Sequence, residues 1–182
     1  MSASEDKTIK IWDLVDGKLI KTLEGHTGWV MSLEVIDSNC LVSGSFDKTI
    51  KIWNVDGGTV IRTFEGHQGG IFCLKLMESE HLISGSADKT IKIWNVNDGT
   101  LVRILEGHTE SIWALELLYN GYLASGSYDK TIKLWDLNDG KLIKTLEGHT
   151  DQVLSLRSLE NGNLVSGSAD KTIKVWNKSM LI

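Results

Sequence analysis

The sequence predicts an all-β fold built from repeated four-stranded antiparallel units. The pentapeptide Asp-Lys-Thr-Ile-Lys occurs five times in the 182 residues, and successive copies begin 41 residues apart. Self-similarity at a fixed period of this size is typical of repeat architectures. Short runs of β-branched residues alternate with turn residues, and no longer stretch shows helical periodicity. Together these observations predict a chain of β units and exclude a helical domain.

One period, residues 25–65, contains four runs that predict strands. In chain order they cover residues 29–36, 40–45, 49–55 and 59–64. The third run alternates clearly and is rich in β-branched residues, which suits a pleated sheet. Asn120-Gly121 and Asn161-Gly162 predict type I′ turns between the first and second strands.

A stack of such units predicts one domain over residues 1–182. A single unit cannot bury both faces of its sheet, whereas neighbouring units can cover each other. Apolar runs such as Leu41-Val42 predict faces that pack against adjacent sheets. The expected divisions are a partial unit 1–24, repeats 25–65, 66–106 and 107–147, and a last incomplete repeat 148–182.

Composition argues against several classes of partner and site. The net charge of −5 disfavours a nucleic-acid surface, which depends on clustered Lys and Arg. No apolar run is long enough to cross a membrane, and the start of the chain lacks the regions of a signal peptide. Cys40 and Cys73 occupy different positions of the repeat and suggest neither a disulfide nor a metal site. We therefore expect a cytoplasmic, reduced protein without cofactors.

The linked motifs resemble the WD-repeat β-propeller family. Each repeat contains Gly-His, then Ser-Gly-Ser-x-Asp, then Lys-Thr-Ile-Lys-x-Trp followed by Asp or Asn, and the match covers nearly the whole chain. Literal Trp-Asp pairs occur only at Trp12-Asp13 and Trp135-Asp136, and the Ser-Pro-Asp-Gly turn common in the family is absent. The resemblance implies a β-propeller of four-stranded antiparallel blades, with about four blades in this chain.

His, Ser and Asp in every repeat invite comparison with a catalytic triad. The resemblance implies instead a structural tetrad with the tryptophan, so we expect no catalytic residue and no enzymatic activity. Ser45 and its equivalents lie on the same side of the second strand as Ser43 and leave the choice of serine open. The four expected tetrads are His26, Ser43, Asp47, Trp53; His67, Ser84, Asp88, Trp94; His108, Ser125, Asp129, Trp135; and His149, Ser166, Asp170, Trp176.

Two variable positions of the repeat are candidates for partner binding, because function is carried by sites added to a shared scaffold. One precedes the repeated Asp of the motif, and the other opens the first strand. The resemblance implies that both lie on the narrow top face of a propeller. The candidate rim residues are Glu5, Trp29, Phe46, Tyr128 and Gln152. Trp113 falls within a first strand and is expected in the core.

The leading functional hypothesis is a non-enzymatic scaffold that binds a protein or peptide through the top rim and central channel. One alternative is a multivalent lectin-like module with equivalent small-ligand pockets. Another is an engineered or duplicated propeller fragment with no dedicated ligand. Equivalent pockets need the same contact residues in every blade, whereas the rim positions differ between repeats. That difference favours one composite protein-binding surface.

The repeat count predicts a second chain. The first copy lacks its Gly-His and first strand, so we expect it to supply only third and fourth strands, and the last copy lacks a fourth strand. Half a ring exposes sheet faces and edges. A homodimer in which each N-terminal segment completes the last blade of the other chain closes a ring of about eight blades. One copy of the third strand, 6–12 or 170–176, is then redundant.

Overall fold

The computed structural model describes residues 1–77, 80–119 and 121–181, which form eighteen strands and one short 3-10 helix. The strands are β1 (Ser2–Ala3), β2 (Ile9–Trp12), β3 (Leu19–Leu23), β4 (Val30–Val35), β5 (Cys40–Ser45), β6 (Ile50–Asn54), β7 (Thr59–Phe64), β8 (Ile71–Met77), β9 (His81–Ser86), β10 (Ile91–Asn95), β11 (Leu101–Leu105), β12 (Ile112–Leu117), β13 (Tyr122–Ser127), β14 (Ile132–Asp136), β15 (Leu142–Leu146), β16 (Val153–Ser158), β17 (Leu164–Ser168) and β18 (Ile173–Trp176). The 3-10 helix is Lys178–Met180. No helix in the described part of the chain is long and apolar enough to cross a membrane.

These strands form five antiparallel sheets that follow one another along the chain. The three internal sheets, β4–β7, β8–β11 and β12–β15, have four strands each, and the end sheets, β1–β3 and β16–β18, have three. The prediction of an all-β chain of four-stranded units is therefore confirmed. The described residues form three sheets of four strands and two of three strands, and these five sheets do not close into a ring. The number of about four blades per chain stays a prediction.

The first sheet contains one strand more than the sequence predicted. Ser2 and Ala3 pair with Lys10 and Ile9, so β1 lies beside β2. The expectation that this segment supplies only third and fourth strands is wrong, because Ser2-Ala3-Ser4 corresponds to the Ser-Gly-Ser segment of a second strand. A strand of two residues is too short to show the alternation of apolar and polar residues from which strands are predicted.

Successive sheets pack face to face through four apolar clusters. Between the sheets β4–β7 and β8–β11, Ile50 and Ile52 of one sheet contact the cluster that contains Leu82 and Trp94 of the next. On the opposite side of β6, Trp53 packs in the cluster shared with the preceding sheet. Each internal sheet therefore has two different buried faces, which we call the isoleucine face and the tryptophan face after their third-strand residues.

The first strands of four sheets, β4, β8, β12 and β16, lie side by side and line a central groove of about 360 Å³. Ser32 Oγ accepts a hydrogen bond from the Leu74 N–H at 3.1 Å, which links two of these strands directly. The Cys73 Sγ lies 3.8 Å from the Ile112 carbonyl oxygen in the next pair. The groove therefore corresponds to one side of the expected central channel.

The turn at Asn161-Gly162 differs from the type I′ turn that the sequence predicted. A type I′ turn needs positive φ at both central residues, but of this pair only Gly162 has one, at 84°. The Gly162 N–H donates to the Leu159 carbonyl oxygen and the Leu159 N–H to that of Asn163, both at 2.8 Å. This is a three-residue loop with a left-handed glycine at its end. Asn120 lies outside the described residues.

Candidate functional site: buried tetrads and an aromatic rim

Four side chains from four parts of the repeat meet inside each sheet that is preceded by a Gly-His pair. In the β4–β7 sheet, Trp53 Nε1 donates to Ser43 Oγ at 2.8 Å, and Ser43 Oγ lies 2.7 Å from His26 Nε2. His26 Nδ1 lies 2.7 Å from Asp47 Oδ2. The other three sets repeat the arrangement at 2.6–2.9 Å: His67, Ser84, Asp88, Trp94; His108, Ser125, Asp129, Trp135; and His149, Ser166, Asp170, Trp176.

The glycine before each histidine is required by packing against the tryptophan. Gly25 has a φ of 150°, and a Cβ at this position would lie 3.2 Å from Cη2 of Trp53. The backbone therefore runs directly over the indole ring and delivers His26 to its edge, where the two rings meet with centroids 5.8 Å apart. This contact explains why Gly and His occur as a pair.

The Asp-Lys-Thr turn aims the carboxylate of each tetrad. Lys48 adopts a left-handed conformation with φ of 72°, which is uncommon for a residue other than glycine. Asp47 Oδ1 accepts from Thr49 N–H at 3.0 Å and from Thr49 Oγ1 at 2.6 Å, while Oδ2 accepts from Thr27 N–H at 2.9 Å. The carboxylate therefore holds the turn and the histidine together.

The charge state of the tetrad follows from burial. Burial lowers the pKa of His26 and of His67, although the neighbouring aspartates act in the opposite direction. For Asp47, burial raises the pKa, but hydrogen bonds from Thr49, Thr27 and His26 outweigh it and bring the pKa to about 2. A neutral imidazole that donates Nδ1–H to an ionised aspartate and accepts the serine O–H at Nε2 satisfies every group.

We expect the protein to lose stability as the pH falls from 7.5 to 5.5. Below about 6.5 the unfolded chain protonates its histidines, whereas His26 and His67 resist protonation in the folded state. The free energy of unfolding should fall by about 1–3 kcal/mol over this range, measured by urea unfolding. The aspartates add nothing there, because their lowered pKa values matter only below about 4. His81→Gln should leave the decline intact, and equal stability at both pH values would contradict the prediction.

The tetrad geometry resembles a Ser-His-Asp triad but does not suit catalysis. Ser43 is fully buried, so no substrate reaches its hydroxyl. The Ser43 Oγ already contacts both His26 Nε2 and Trp53 Nε1, which leaves no position for an attacked carbonyl. Ser45 is also buried, but its Oγ accepts from the Asp47 N–H at 3.1 Å. The ambiguity between the two serines is thus resolved by the atoms that they contact.

The two variable rim positions are hydrogen-bonded neighbours in each of the four sheets. The Phe46 N–H donates to the Trp29 carbonyl oxygen at 2.8 Å, and the Tyr128 N–H donates to that of Ser111 at 2.9 Å. The Ala169 N–H likewise donates to the Gln152 carbonyl oxygen at 2.9 Å. The backbone is therefore the same in each sheet, and only the side chains change the surface.

Five aromatic side chains form a continuous row along this rim, which we call the aromatic row: Trp29, Phe46, Phe72, Trp113 and Tyr128. Neighbouring ring centroids lie 5.8, 6.0, 4.2 and 4.9 Å apart along the row. The Trp113 ring stacks between Phe72 and Tyr128, with interplanar angles of 19° and 8°. Trp29 and Phe46 are 45% and 52% exposed. The row thus crosses three sheets and remains open to solvent at one end.

The aromatic row includes two residues that the sequence did not assign to the rim. Trp113 was expected in the core, but it is only partly buried and lines the groove with Phe72. Its Nε1 is buried with no hydrogen-bond partner in the described structure. A signal was present, because Phe72 and Trp113 are equivalent positions of adjacent repeats. Glu5 and Gln152 make no ring contact and lie outside the aromatic row.

The model for the WD domain, G-beta repeat, family matches residues 1–13, 17–54, 58–95, 99–136 and 140–177. The chain belongs to the WD40 family. The resemblance drawn from the motifs is therefore confirmed. WD40 propellers generally act as non-enzymatic scaffolds for protein interactions.

Solved WD40 structures share the fold over nearly all of this chain. The WD40 β-propeller domain of Doa1 superposes with a TM-score of 0.89 at 31% identity, over 97% of this chain and 59% of that one. The computationally designed Ika8 protein gives 0.82 at 36% identity, over 96% of this chain and 54% of that one. The WD40 chain thus spans between half and two thirds of each of these structures.

Curated relatives match only short segments. Mitochondrial division protein 1 of Mycosarcoma maydis is 44% identical over 45 residues, 25% of this chain and 6% of that protein. Nuclear distribution protein PAC1-2 of Uncinocarpus reesii (strain UAMH 1704) is 60% identical over 30 residues, 16% of this chain and 6% of that protein. The likeness covers about one WD40 repeat and a small part of each relative.

Proposed function

We propose that this WD40 chain is a non-enzymatic scaffold that binds a protein or peptide segment across the aromatic row. The row itself supports the proposal, because two exposed aromatic rings, Trp29 and Phe46, stand beside turns where polar residues are expected. Aromatic side chains are enriched at interface centres, where they provide a large contact area with few rotatable bonds. A surface that crosses three sheets suits an extended segment better than a compact small molecule.

The chemistry of the aromatic row favours a segment with apolar or aromatic side chains. Phe46 packs directly against the backbone of Gly70. A Cβ at Gly70 would lie 3.1 Å from the Phe46 Cδ2, so the absence of a side chain there allows this close contact. Stacking holds Trp113 between Phe72 and Tyr128. Rings that are fixed before binding lose little conformational entropy on binding, which favours affinity.

The remaining parts of the chain serve as scaffold in this proposal. The tetrads stabilise the sheets and carry out no chemistry, and no cofactor or metal takes part. Among the described residues, no group of three or more His, Cys, Asp or Glu side chains is placed to hold a metal ion. We place the protein inside the cell, in a reducing compartment, because both of its cysteines, Cys40 and Cys73, are free thiols.

Phe46→Ala and Tyr128→Ala should each weaken binding about ten- to thirty-fold, as expected for aromatic anchors. Peptides selected from a displayed random library on the wild-type chain provide the ligands, and titration calorimetry gives their Kd values. Tyr119→Ala is the matched control, because Tyr119 is exposed but lies outside the aromatic row. Equal affinity of Phe46→Ala, Tyr128→Ala and wild type would contradict binding at this row.

A glycan array run on the same protein tests the lectin-like alternative. Reproducible glycan binding together with failure to select any peptide would reverse the proposal. Recovery of neither class of ligand would favour a propeller fragment with no dedicated ligand.

We also propose that two copies of the chain close one ring of about eight blades. The support is that one chain spans 59% and 54% of two solved WD40 structures, and that the described sheets form an open arc. Propellers have about four to eight blades, and two identical arcs related by a two-fold axis close without a free sheet.

A further inference from the structure

Each end sheet presents a face that is buried in every internal sheet. On β18, Ile173 and Val175 are 76% and 61% exposed, whereas the equivalent Ile50 and Ile52 are buried against the next sheet. On β2, Trp12 is 38% exposed, whereas the equivalent Trp53 is buried. The chain therefore ends in an open isoleucine face on one side and an open tryptophan face on the other. All four internal contacts join these same two faces, so the ends are complementary.

The two end sheets contain duplicate copies of one third strand. Residues 2–12 and 166–176 occupy the same positions of the repeat. In the first copy Ile9 is buried and Trp12 exposed, and in the second Trp176 is buried and Ile173 exposed. The first copy thus buries its isoleucine face and exposes its tryptophan face, and the second copy does the reverse. A closed blade needs one third strand that is buried on both sides.

Hydrogen bonds indicate which copy a closed blade retains. The last sheet contains a complete tetrad, in which His149 contacts both Asp170 and Ser166. Of the bonds that make up a tetrad, the described part of the first sheet has only the one from Trp12 Nε1 to Ser2 Oγ, at 2.9 Å. Retaining β18 therefore preserves more buried hydrogen bonds than retaining β2. The last sheet then lacks only a fourth strand, which is the position that β3 holds in the first sheet.

Four charged residues on the first strands alternate in sign from sheet to sheet, and all of them except Glu116 line the central groove. Glu34, Lys75, Glu116 and Arg157 occupy one position of the four repeats. Glu116 accepts from Lys75 Nζ at 3.1 Å and from Arg157 Nη1 at 3.4 Å, so it contacts a cation on either side. Glu34 makes no direct ion pair in the described part of the chain; burial raises its pKa, although the charges of Lys75 and Arg157 in the same chain act in the opposite direction. The Arg157 side chain is 75% exposed. At one end of the series Glu34 therefore has no cation in direct contact, and at the other end the exposed Arg157 has room to contact a second carboxylate.

The geometry points to strand exchange between two copies: β3 of each copy completes the β16–β18 sheet of the other, and Arg157 pairs with Glu34 of the second copy. This inference rests on the two-copy ring proposed above and specifies its junction. By the register of the internal sheets, Ile173 lies opposite Leu23 of the second copy, as Ile50 lies opposite Phe64. Residues 1–12, including β2, are displaced. The channel then carries eight charges that alternate without a break.

Ile9→Asp and Ile173→Asp distinguish the exchanged ring from the open single chain, because the two residues are equivalent positions of the duplicated strand. In the ring, Ile173 is buried and Ile9 displaced, so Ile173→Asp should give single chains while Ile9→Asp stays dimeric with an unchanged melting temperature. Light scattering on the eluting peak measures the mass, and wild type should give twice the 20.2 kDa of one chain. A wild-type mass of one chain, or any other response of the two variants, would overturn the exchange.

A double-mutant cycle tests the proposed ion pair. Arg157→Ala and Glu34→Ala should each weaken the dimer, and the double variant should show a coupling of about three-fold or more in the dimer Kd. Additive effects would show that the two residues do not meet. Tyr128→Ala should leave the dimer intact, so loss of peptide binding and loss of the ring are observed separately.

Discussion

His67→Ala should lower the free energy of unfolding by about 2–4 kcal/mol, because it removes a side chain that packs inside the sheet and takes one hydrogen bond from each of two tetrad partners. Asp88 loses its hydrogen bond to His67 Nδ1, and Ser84 loses its acceptor at Nε2. The Trp94 ring also loses its T-shaped contact with the imidazole, at a centroid distance of 6.0 Å. For a chain of this size the melting temperature should fall by about 5–15 °C, as measured by calorimetry.

His81→Ala is the matched control for this prediction. His81 begins β9 and is only partly buried, and it belongs to no tetrad. Its replacement should change the melting temperature by no more than a few degrees. If His67→Ala melts at the wild-type temperature, the tetrads do not hold the sheets together, and another role for these residues has to be sought.

Much of the fold could be predicted from the sequence because each repeat has to satisfy the same local requirements. Recurrence of His26, Ser43, Asp47 and Trp53 at one period predicted that the four side chains are used together. The family resemblance assigned Ser43 to the tetrad, but the residues alone could not exclude Ser45, because both side chains point to the same side of β5. The choice depends on distances between chain segments that the sequence does not specify.

The aromatic row was predicted only in part, for a physical reason. Trp29, Phe46 and Tyr128 stand at the two variable positions of the repeat, which the sequence predicted to lie on the rim. Phe72 and Trp113 lie within strands, where an aromatic residue is ordinarily part of the core. Their equivalent positions in adjacent repeats indicate that the two rings are neighbours, but their stacking depends on how closely the sheets approach and at what angle, which the sequence does not specify.

The close approach of the sheets itself leads to the second prediction, at the glycine of the Ser-Gly-Ser motif. A Cβ at Gly85 would lie 2.6 Å from Cys73 Sγ and 2.8 Å from Ile112 Cγ2 of the next sheet. Gly85→Ala should therefore force the two sheets apart and lower the free energy of unfolding by about 1–3 kcal/mol, as measured by urea unfolding. Gly57→Ala is the control, since its nearest neighbour is the Asn54 side chain at 3.0 Å. Equal stability of the two variants would contradict the tight sheet packing.

Gly85→Ala should also weaken peptide binding, although Gly85 is remote from solvent. Phe72 and Trp113 belong to the two sheets that Gly85 separates, and their 4.2 Å stacking distance depends on that spacing. An added methyl group that widens the gap loosens the aromatic row and removes part of its rigidity before binding. Cys73→Ala in the Gly85→Ala background removes the nearest clashing atom and should restore part of both stability and affinity. If affinity is unchanged while stability falls, the aromatic row does not depend on the spacing of the sheets beneath it.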